Sequence, residues 1–160
     1  MASSGPTPYG FAFAPDGTLI VAEAFGAQRG KAAASSYAPE SGSLAPVSRS
    51  VGNGRSEICR AVVTNHGRYA FLTNFVDGAV SRCALSADGS LALENAAAET
   101  ALEGATGLCD EDVSADDRFL HAIDADSRHI FGWAIGAQGS LTPVGEWEGV
   151  PATVVGLAAS

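Results

Sequence analysis

The sequence has few positive charges and no long apolar run, and each lack excludes a class of protein. Nine Lys and Arg residues stand against eighteen Asp and Glu, for a formal net charge of −9. A nucleic-acid-binding protein needs a basic face that neutralises phosphate charge, so we expect no nucleic-acid partner. Since no stretch approaches the roughly 18 continuous apolar residues of a membrane span, we expect no membrane segment either.

The sequence also lacks a secretion signal and a cysteine framework. Its start, Met-Ala-Ser-Ser-Gly-Pro-Thr-Pro, has no charged region followed by an apolar one. The localisation stays open, and a cytoplasmic protein is expected if this N-terminus is native. Cys59, Cys83 and Cys109 form no CxxC pair and no zinc spacing. Reduced, partly buried thiols are therefore expected, and no Cys-His-Asn order indicates a nucleophilic one.

Helical periodicity and the common catalytic motifs are missing as well. No stretch repeats apolar residues every 3.6 positions, and no G-x-S-x-G elbow, P-loop or dinucleotide fingerprint occurs. Apolar residues nevertheless make up 46% of the chain and charged residues 17%, a composition that can form a packed core. Nineteen glycines and seven prolines are spread along the chain, as is typical of many short strands joined by turns. We predict an all-β fold.

An internal repeat of about 50 residues is the main positive feature of the sequence. The turns APDGTL, NHGRY and ADDRF place Gly17, Gly67 and Asp117 at intervals of 50 residues. A second turn follows each of them, in ESGSL, ADGSL and AQGSL. Asp-Gly between β-rich runs is the strongest short-range hairpin signal. Two landmarks in one period predict a four-stranded antiparallel unit, which is typical of a propeller blade.

The repeat predicts a partial β-propeller with three four-stranded antiparallel blades plus one innermost strand of a fourth. The blades cover 8–50, 56–100 and 105–149, and the extra strand covers 151–159, where VPATVVGLAA matches the opening GPTPYGFAFA. Three blades are fewer than the roughly four that close a ring. The outer faces of the first and third blades should stay apolar and exposed, so we expect a homo-oligomer or a complementary propeller half.

Four segments of the sequence resemble the lactonase-family seven-bladed β-propellers, which include 6-phosphogluconolactonases: GPTPYGFAFAPDGTLIVAEA, VVTNHGRYAFLTN, GAVSRCALSADGSLAL and FGWAIGAQGSLTPVG. The resemblance covers about 5–159 and corresponds to the C-terminal half of the family's ring. It implies a hydrolase of a sugar-type lactone once another chain completes the ring. A non-catalytic binding or self-assembly module is the alternative. A phosphorylated substrate is disfavoured, because only Arg55, Arg60 and Arg82 lie near as phosphate clamps.

The resemblance also indicates candidate site residues. The family's Arg-His pair is not kept, since the equivalent positions hold Tyr9-Gly10, Cys59-Arg60 and Cys109-Asp110. The candidate catalytic residues are Glu23, which matches a family glutamate after the second strand, Arg60, and the mid-strand acid–base group His121. The candidate substrate-binding residues are Tyr9, Glu57, Asn74 and Asp110.

An acidic run, Asp110-Glu111-Asp112, lies where a strand between two neighbours is predicted. A carboxylate buried there must pair, protonate or bind a cation. Asp110 and Asp112 are therefore candidate ligands for Ca²⁺ or Mg²⁺, and no other cofactor is expected. The alternative is a solvated edge at which Arg60 is the ion-pair partner.

Overall fold

The computed structural model describes residues 2–101, 106–154 and 156–160, which contain three groups of four β-strands. The first group is β1 (Pro8–Phe13), β2 (Leu19–Glu23), β3 (Ala33–Glu40) and β4 (Ser43–Gly52). The second is β5 (Ile58–Val63), β6 (Tyr69–Asn74), β7 (Ala79–Leu85) and β8 (Leu91–Thr100). The third is β9 (Leu108–Val113), β10 (Phe119–Asp124), β11 (His129–Ile135) and β12 (Leu141–Glu148). Short 3₁₀ turns occur at Phe25–Ala27 and Ala137–Gly139. Among the described residues, no helix is long and apolar enough to cross a membrane.

Each group of four strands forms one antiparallel sheet with its strands in chain order. The all-β prediction and the prediction of three four-stranded antiparallel blades are confirmed. The repeated turn holds Gly67 at a φ of 72° and Asp117 at 58°. Aspartate is among the few L-residues that tolerate this left-handed region. Its carboxylate also accepts hydrogen bonds from the Asn65 amide (2.6 Å) and the His66 amide (2.9 Å), which tie blade 3 to blade 2.

The blades pack face to face, and the core consists of the two apolar layers between them. Between blades 1 and 2, Ile20 packs in one cluster with Ile58 and Leu72. Between blades 2 and 3, Phe71 packs in a second cluster with Trp133. Each fully buried large apolar side chain contributes about 1.5–3 kcal/mol, so these two layers dominate the stability of the fold.

The innermost strands β1, β5 and β9 pack side by side, and β5 contacts both of the others. The first residues of each are irregular in their pairing with the second strand of the same blade, as in a β-bulge. Gly10 permits the close approach of β1 to β5, since a methyl group on it would lie 2.8 Å from the Arg60 Cα. Residues 50 positions apart therefore occupy equivalent places in the three blades.

The two end faces of the stack remain exposed, as the sequence analysis predicts. On blade 1, Tyr9 is 70% exposed and Phe11 and Phe13 are each 59% exposed. On blade 3, Val144 and Trp147 are each 49% exposed. In each case the side chain lies on the face of the sheet that is turned away from the neighbouring blade.

The innermost strand predicted over 151–159 stays a prediction. Over 151–154 and 156–160 the structure assigns no strand. The segment instead lies along β9 and donates amide hydrogen bonds from Leu157 to Asp110 Oδ2 (2.9 Å) and from Ala159 to Asp112 Oδ2 (2.8 Å). Both partners advance by two residues, so residues 157–159 run alongside β9 in the same direction.

Close packing of the innermost strands should make Gly10 intolerant of substitution. We expect Gly10→Ala to lower the free energy of unfolding by about 1–3 kcal/mol, because β1 must move away from β5. The matched control is Gly52→Ala, where an added methyl group meets no atom within 4 Å. Urea denaturation followed by far-UV circular dichroism measures both, and equal effects of the two variants would contradict the close approach.

Candidate functional site

A cavity of about 460 Å³ opens where the three innermost strands begin. Tyr9, Cys59 and Cys109, which share one repeat position, line it together with Val154 from the C-terminal segment. The 50-residue spacing places these three residues together, although sequence reasoning singled out only Tyr9 for binding. The cavity is thus built from equivalent strand ends of different blades.

Arg60 and Asp110 line this cavity and pair with each other across adjacent innermost strands. Arg60 Nε donates to Asp110 Oδ1, which confirms Arg60 as the ion-pair partner of the acidic run. This hydrogen bond raises the pKa of the guanidinium above its ordinary value. The Arg60 side chain is 40% exposed and the Asp110 side chain 6%. The Arg60 guanidinium therefore remains accessible to a ligand, while the buried Asp110 carboxylate balances its charge.

Glu57 also lines the cavity, from the residue just before β5. Its φ is 54°, in the left-handed region, as is that of the equivalent Thr7 at 55°. The third blade has Gly107 at this place, with a φ of 110°. A non-glycine residue in this region costs of order 1–3 kcal/mol. A charged residue thus occupies the rim of the cavity at a place where glycine would be less strained.

Glu23, a candidate catalytic residue, is fully buried at the end of β2 and does not line the cavity. Its Oε1 accepts hydrogen bonds from the Gly5 amide (2.7 Å) and the Ser35 hydroxyl (2.8 Å), and its Oε2 accepts one from the Ser50 hydroxyl (2.8 Å). These partners come from three separate segments of blade 1. In this structure Glu23 fastens the N-terminal segment to the blade.

Asn74, a candidate substrate-binding residue, is the counterpart of Glu23 in blade 2. It is fully buried, and its carboxamide donates to the Ala79 carbonyl (2.9 Å) and accepts from Asn53 Nδ2 (2.8 Å). These contacts join β6 to β7 and to the loop that follows β4. Asn74 is therefore placed beneath the cavity surface and not on it.

His121, the third catalytic candidate, faces outward from blade 3 into a separate groove of about 390 Å³. Ile130, Trp147 and Leu157 also line this groove, and the His121 and Trp147 ring centroids lie 6.2 Å apart. Arg60 is thus the one catalytic candidate at the main cavity among the residues described. The candidate substrate-binding residues Tyr9, Glu57 and Asp110 lie there with it.

The candidate cation ligands Asp110 and Asp112 have protein partners for their carboxylates. The Leu157 amide donates to Asp110 Oδ2, and the Ala159 amide donates to Asp112 Oδ2. Arg60 pairs with the other oxygen of Asp110, Oδ1. In the described parts of the chain, no three His, Cys, Asp or Glu side chains are arranged to hold a metal ion. The acidic run therefore positions the C-terminal segment in this structure.

Glu111, between these two aspartates, points the opposite way, toward blade 2. It is 3% exposed, and neither side-chain oxygen has a hydrogen-bond partner. Burial raises the pKa of Glu111 well above its ordinary value, against a smaller opposing effect of the Thr73 backbone. Of the three outcomes for a buried carboxylate, which are pairing, protonation and cation binding, the raised pKa favours protonation for Glu111.

The cavity thiols are poor nucleophiles. Burial, and next the nearby Glu57 carboxylate, raise the pKa of Cys59 to about 12. Burial also raises the pKa of Cys109. All three cysteines are free, as the sequence predicts. Since the thiolate is the reactive form, covalent catalysis by Cys59 is not favoured near neutral pH.

The chain with its repeated blades matches a known family. A family model described as lactonase, 7-bladed beta-propeller, matches residues 2–153. The chain belongs to the lactonase family of seven-bladed β-propellers. No curated protein matches the sequence.

Solved structures resemble this lactonase-family chain over part of their length. A provisionally named 6-phosphogluconolactonase from Bacteroides uniformis is 22% identical, with a TM-score of 0.73 over 91% of this chain and 43% of its own. The periplasmic gluconolactonase of Pseudomonas aeruginosa is 25% identical, with a TM-score of 0.63 over 88% of this chain and 40% of its own. The chain therefore spans about two-fifths of the length of these proteins.

The raised pKa of Glu111 should make stability depend on pH. The unfolded chain releases this proton near the ordinary value of 4.5, whereas the folded chain retains it to higher pH. The free energy of unfolding should therefore fall as pH rises above 4.5, by at most about 1.4 kcal/mol per pH unit, until the folded pKa is reached. We expect Glu111→Gln to reduce this slope, as measured by urea denaturation between pH 4.5 and 8. The exposed Glu146→Gln is the control, and an unchanged slope in Glu111→Gln would contradict the assignment.

The cavity thiols should react slowly despite their position. We expect alkylation of Cys59 by iodoacetamide at pH 7 to be at least tenfold slower than that of free cysteine, because its thiolate is scarce. The rate should still be rising above pH 9. Mass spectrometry of peptides at timed intervals separates Cys59 from Cys83, which is buried and serves as the internal reference. Rapid labelling of Cys59 at neutral pH would contradict the raised pKa.

Proposed function

We propose that the chain supplies one wall of a binding site for an uncharged sugar-type lactone, which the completed propeller hydrolyses. The observation that carries the proposal is a carboxylate and a cation that lie close together at the start of β5. A carboxylate, Glu57, and a cation, Arg60, stand three residues apart and line one cavity with the exposed ring of Tyr9.

These three residues suit the steps of lactone hydrolysis. Water adds to the lactone carbonyl carbon while Glu57 accepts its proton, and Arg60 stabilises the negative oxygen of the tetrahedral intermediate. Collapse of the intermediate breaks the bond between the carbonyl carbon and the ring oxygen. The ring oxygen then receives the proton, which gives the open hydroxy acid. Tyr9 offers an apolar ring against the sugar face.

The charges of the cavity favour a substrate without phosphate. Arg60 is the one cation among its described lining residues, and Asp110 already balances it. Arg55 and Arg82 do not line the cavity: Arg55 Nε donates to the Ala96 carbonyl (3.1 Å), and Arg82 pairs with Glu94 (3.1 Å). A neutral lactone needs no further cation.

The resemblance to a protein named as a periplasmic gluconolactonase supports the same class of substrate. Because the chain covers 40% of that protein, hydrolysis by this chain depends on what completes the ring.

A binding module without catalysis is the second candidate function, and one observation favours it. The Arg60 guanidinium is engaged by Asp110, and the Glu23 carboxylate is enclosed by blade 1. Because Asp110 already balances the charge of Arg60 and Glu23 does not line the cavity, the cavity would bind a lactone without turnover. Calorimetry with glucono-1,5-lactone that shows binding, together with a hydrolysis assay that shows none, would identify this case.

Variants of Glu57 separate function from stability. We expect Glu57→Gln to lower kcat for glucono-1,5-lactone by about 10²–10⁴-fold, as for the loss of a general base. Glu57→Gly should lower kcat to the same extent but raise the free energy of unfolding by about 1 kcal/mol, since it relieves the left-handed strain. A pH-stat assay and urea denaturation measure the two effects. Full activity of Glu57→Gln would exclude this residue as the base.

Arg60→Gln tests the stabilisation of the oxyanion. We expect a loss of about 10²–10³-fold in kcat, similar to the removal of one oxyanion donor. The control is Arg118→Gln, because Arg118 is exposed, pairs with Asp116 and lies away from the cavity. Equal activity of both variants would exclude Arg60 from oxyanion stabilisation, and a wild type that does not bind glucono-1,5-lactone in calorimetry would overturn the proposal.

A further inference from the structure

We propose that Cys59 and Cys109 are the two ligands of a site for a soft metal ion, Cu(I), in the cavity at the start of the innermost strands. Both thiols line this cavity, and the proposed hydrolysis gives neither of them a role. The proposal therefore goes beyond that reaction and does not depend on it. It follows from the pairing of the innermost strands, from the contact between β5 and β9, and from the chemistry of paired thiols.

Cys59 and Cys109 are the unpaired residues of two equivalent β-bulges. The residues on either side of Cys59 pair with adjacent residues of β6, so Cys59 itself has no pairing partner among the described residues of that strand. The residues on either side of Cys109 pair with adjacent residues of β10, which leaves Cys109 unpaired within the described part of blade 3. A bulge frees its extra residue from the ladder and re-aims the side chain, often beside a functional site. The same irregularity thus places a thiol at one cavity twice.

The two thiols lie on strands that contact each other at this height. The residues that directly follow them, Arg60 and Asp110, form the ion pair between β5 and β9. After burial and the Glu57 carboxylate, the Cys109 thiol is the next cause that raises the pKa of Cys59, as expected for two thiols at short range. The pair, which we call the dithiol, is therefore formed by neighbouring strands and opens to one cavity.

A dithiol without further ligands suits a soft metal ion of low coordination number. In the described parts of the chain, no three His, Cys, Asp or Glu side chains form a group that could hold a metal ion. Zn²⁺ takes roughly three or four protein ligands, so two thiols alone do not fit it. Mg²⁺ and Ca²⁺ require oxygen ligands. Cu(I) prefers thiolates and is stable between two of them. The donor set therefore selects Cu(I).

Binding exchanges two thiol protons for one ion. The Cys59 thiol donates a weak hydrogen bond to the Glu57 carbonyl, with 3.7 Å between sulfur and oxygen. The Cys109 thiol makes the same contact with the Ile123 carbonyl at 3.7 Å. Cu(I) displaces both protons to solvent and leaves one bis-thiolate complex. Against the larger effect of burial, the Arg60 charge lowers the pKa of Cys59 and favours the thiolate that the ion binds.

Competition with bicinchoninate, which forms a coloured Cu(I) complex, measures the affinity of the reduced chain in the absence of oxygen. We expect the wild type to withdraw one Cu(I) ion per chain. Cys59→Ala and Cys109→Ala should each weaken binding by more than about 100-fold, because loss of a ligand costs more than the roughly 10–100-fold of an outer partner. Cys83→Ala is the matched control, since Cys83 is buried and does not line the cavity, and it should leave the affinity unchanged. Far-UV circular dichroism verifies that the variants are folded.

A second probe tests the spacing of the thiols without a mutation. Phenylarsine oxide bonds through arsenic to two adjacent thiols and releases one water, so mass spectrometry of peptides should find one arsenical that bridges Cys59 and Cys109. A wild type that withdraws no Cu(I), or unchanged affinity in either cavity variant, would overturn the proposal. So would an arsenical that does not bridge this pair, because the thiols would then be too far apart to share an ion. These readouts remain distinct from any result of the lactone assay.

Discussion

The packing of one sheet face against the next is the constraint on which the rest of this structure depends. A four-stranded sheet with two apolar faces is stable only where both are covered, and here three sheets cover four of their six faces. The layers around Ile20 and Phe71 are closed, and the faces of Phe13 and Trp147 are open. The stability of the chain and the place of its exposed apolar residues therefore follow from one rule of packing.

The same constraint determines the state of the charged residues on the innermost strands. These strands lie between two neighbours, so a charge there must be matched or removed. Arg60 and Asp110 match each other because the repeat places them at the same height on adjacent strands. Glu111 faces the opposite layer, where no cation follows from the repeat, and burial raises its pKa and so favours the protonated form. Neighbouring acidic residues thus adopt different states because the strand turns them toward different layers.

The sequence reveals the blades because their landmarks are local. Turn glycines recur at a fixed spacing and each strand follows from its neighbours, so three four-stranded units could be predicted. The candidate site was harder to predict from the sequence, since its features depend on segments that are distant along the chain. Glu23 is enclosed by serines from other strands, and His121 faces outward because of its register. The segment over 151–159 matches a strand in sequence, but pairing requires a partner that no pattern within the segment supplies.

Two residues of this chain occupy places where another residue would stabilise the fold more. Glu57 holds a left-handed backbone where blade 3 has glycine, and Glu111 buries an unpartnered carboxyl group in an apolar layer. Glu57 lies at the rim of the cavity, and Glu111 directly follows Asp110, the ion-pair partner of Arg60. Packing explains neither choice, because glycine at the first place and an apolar residue at the second would satisfy it. Residues that packing alone would not select, placed beside one cavity, are the pattern expected where a surface is kept for binding or chemistry.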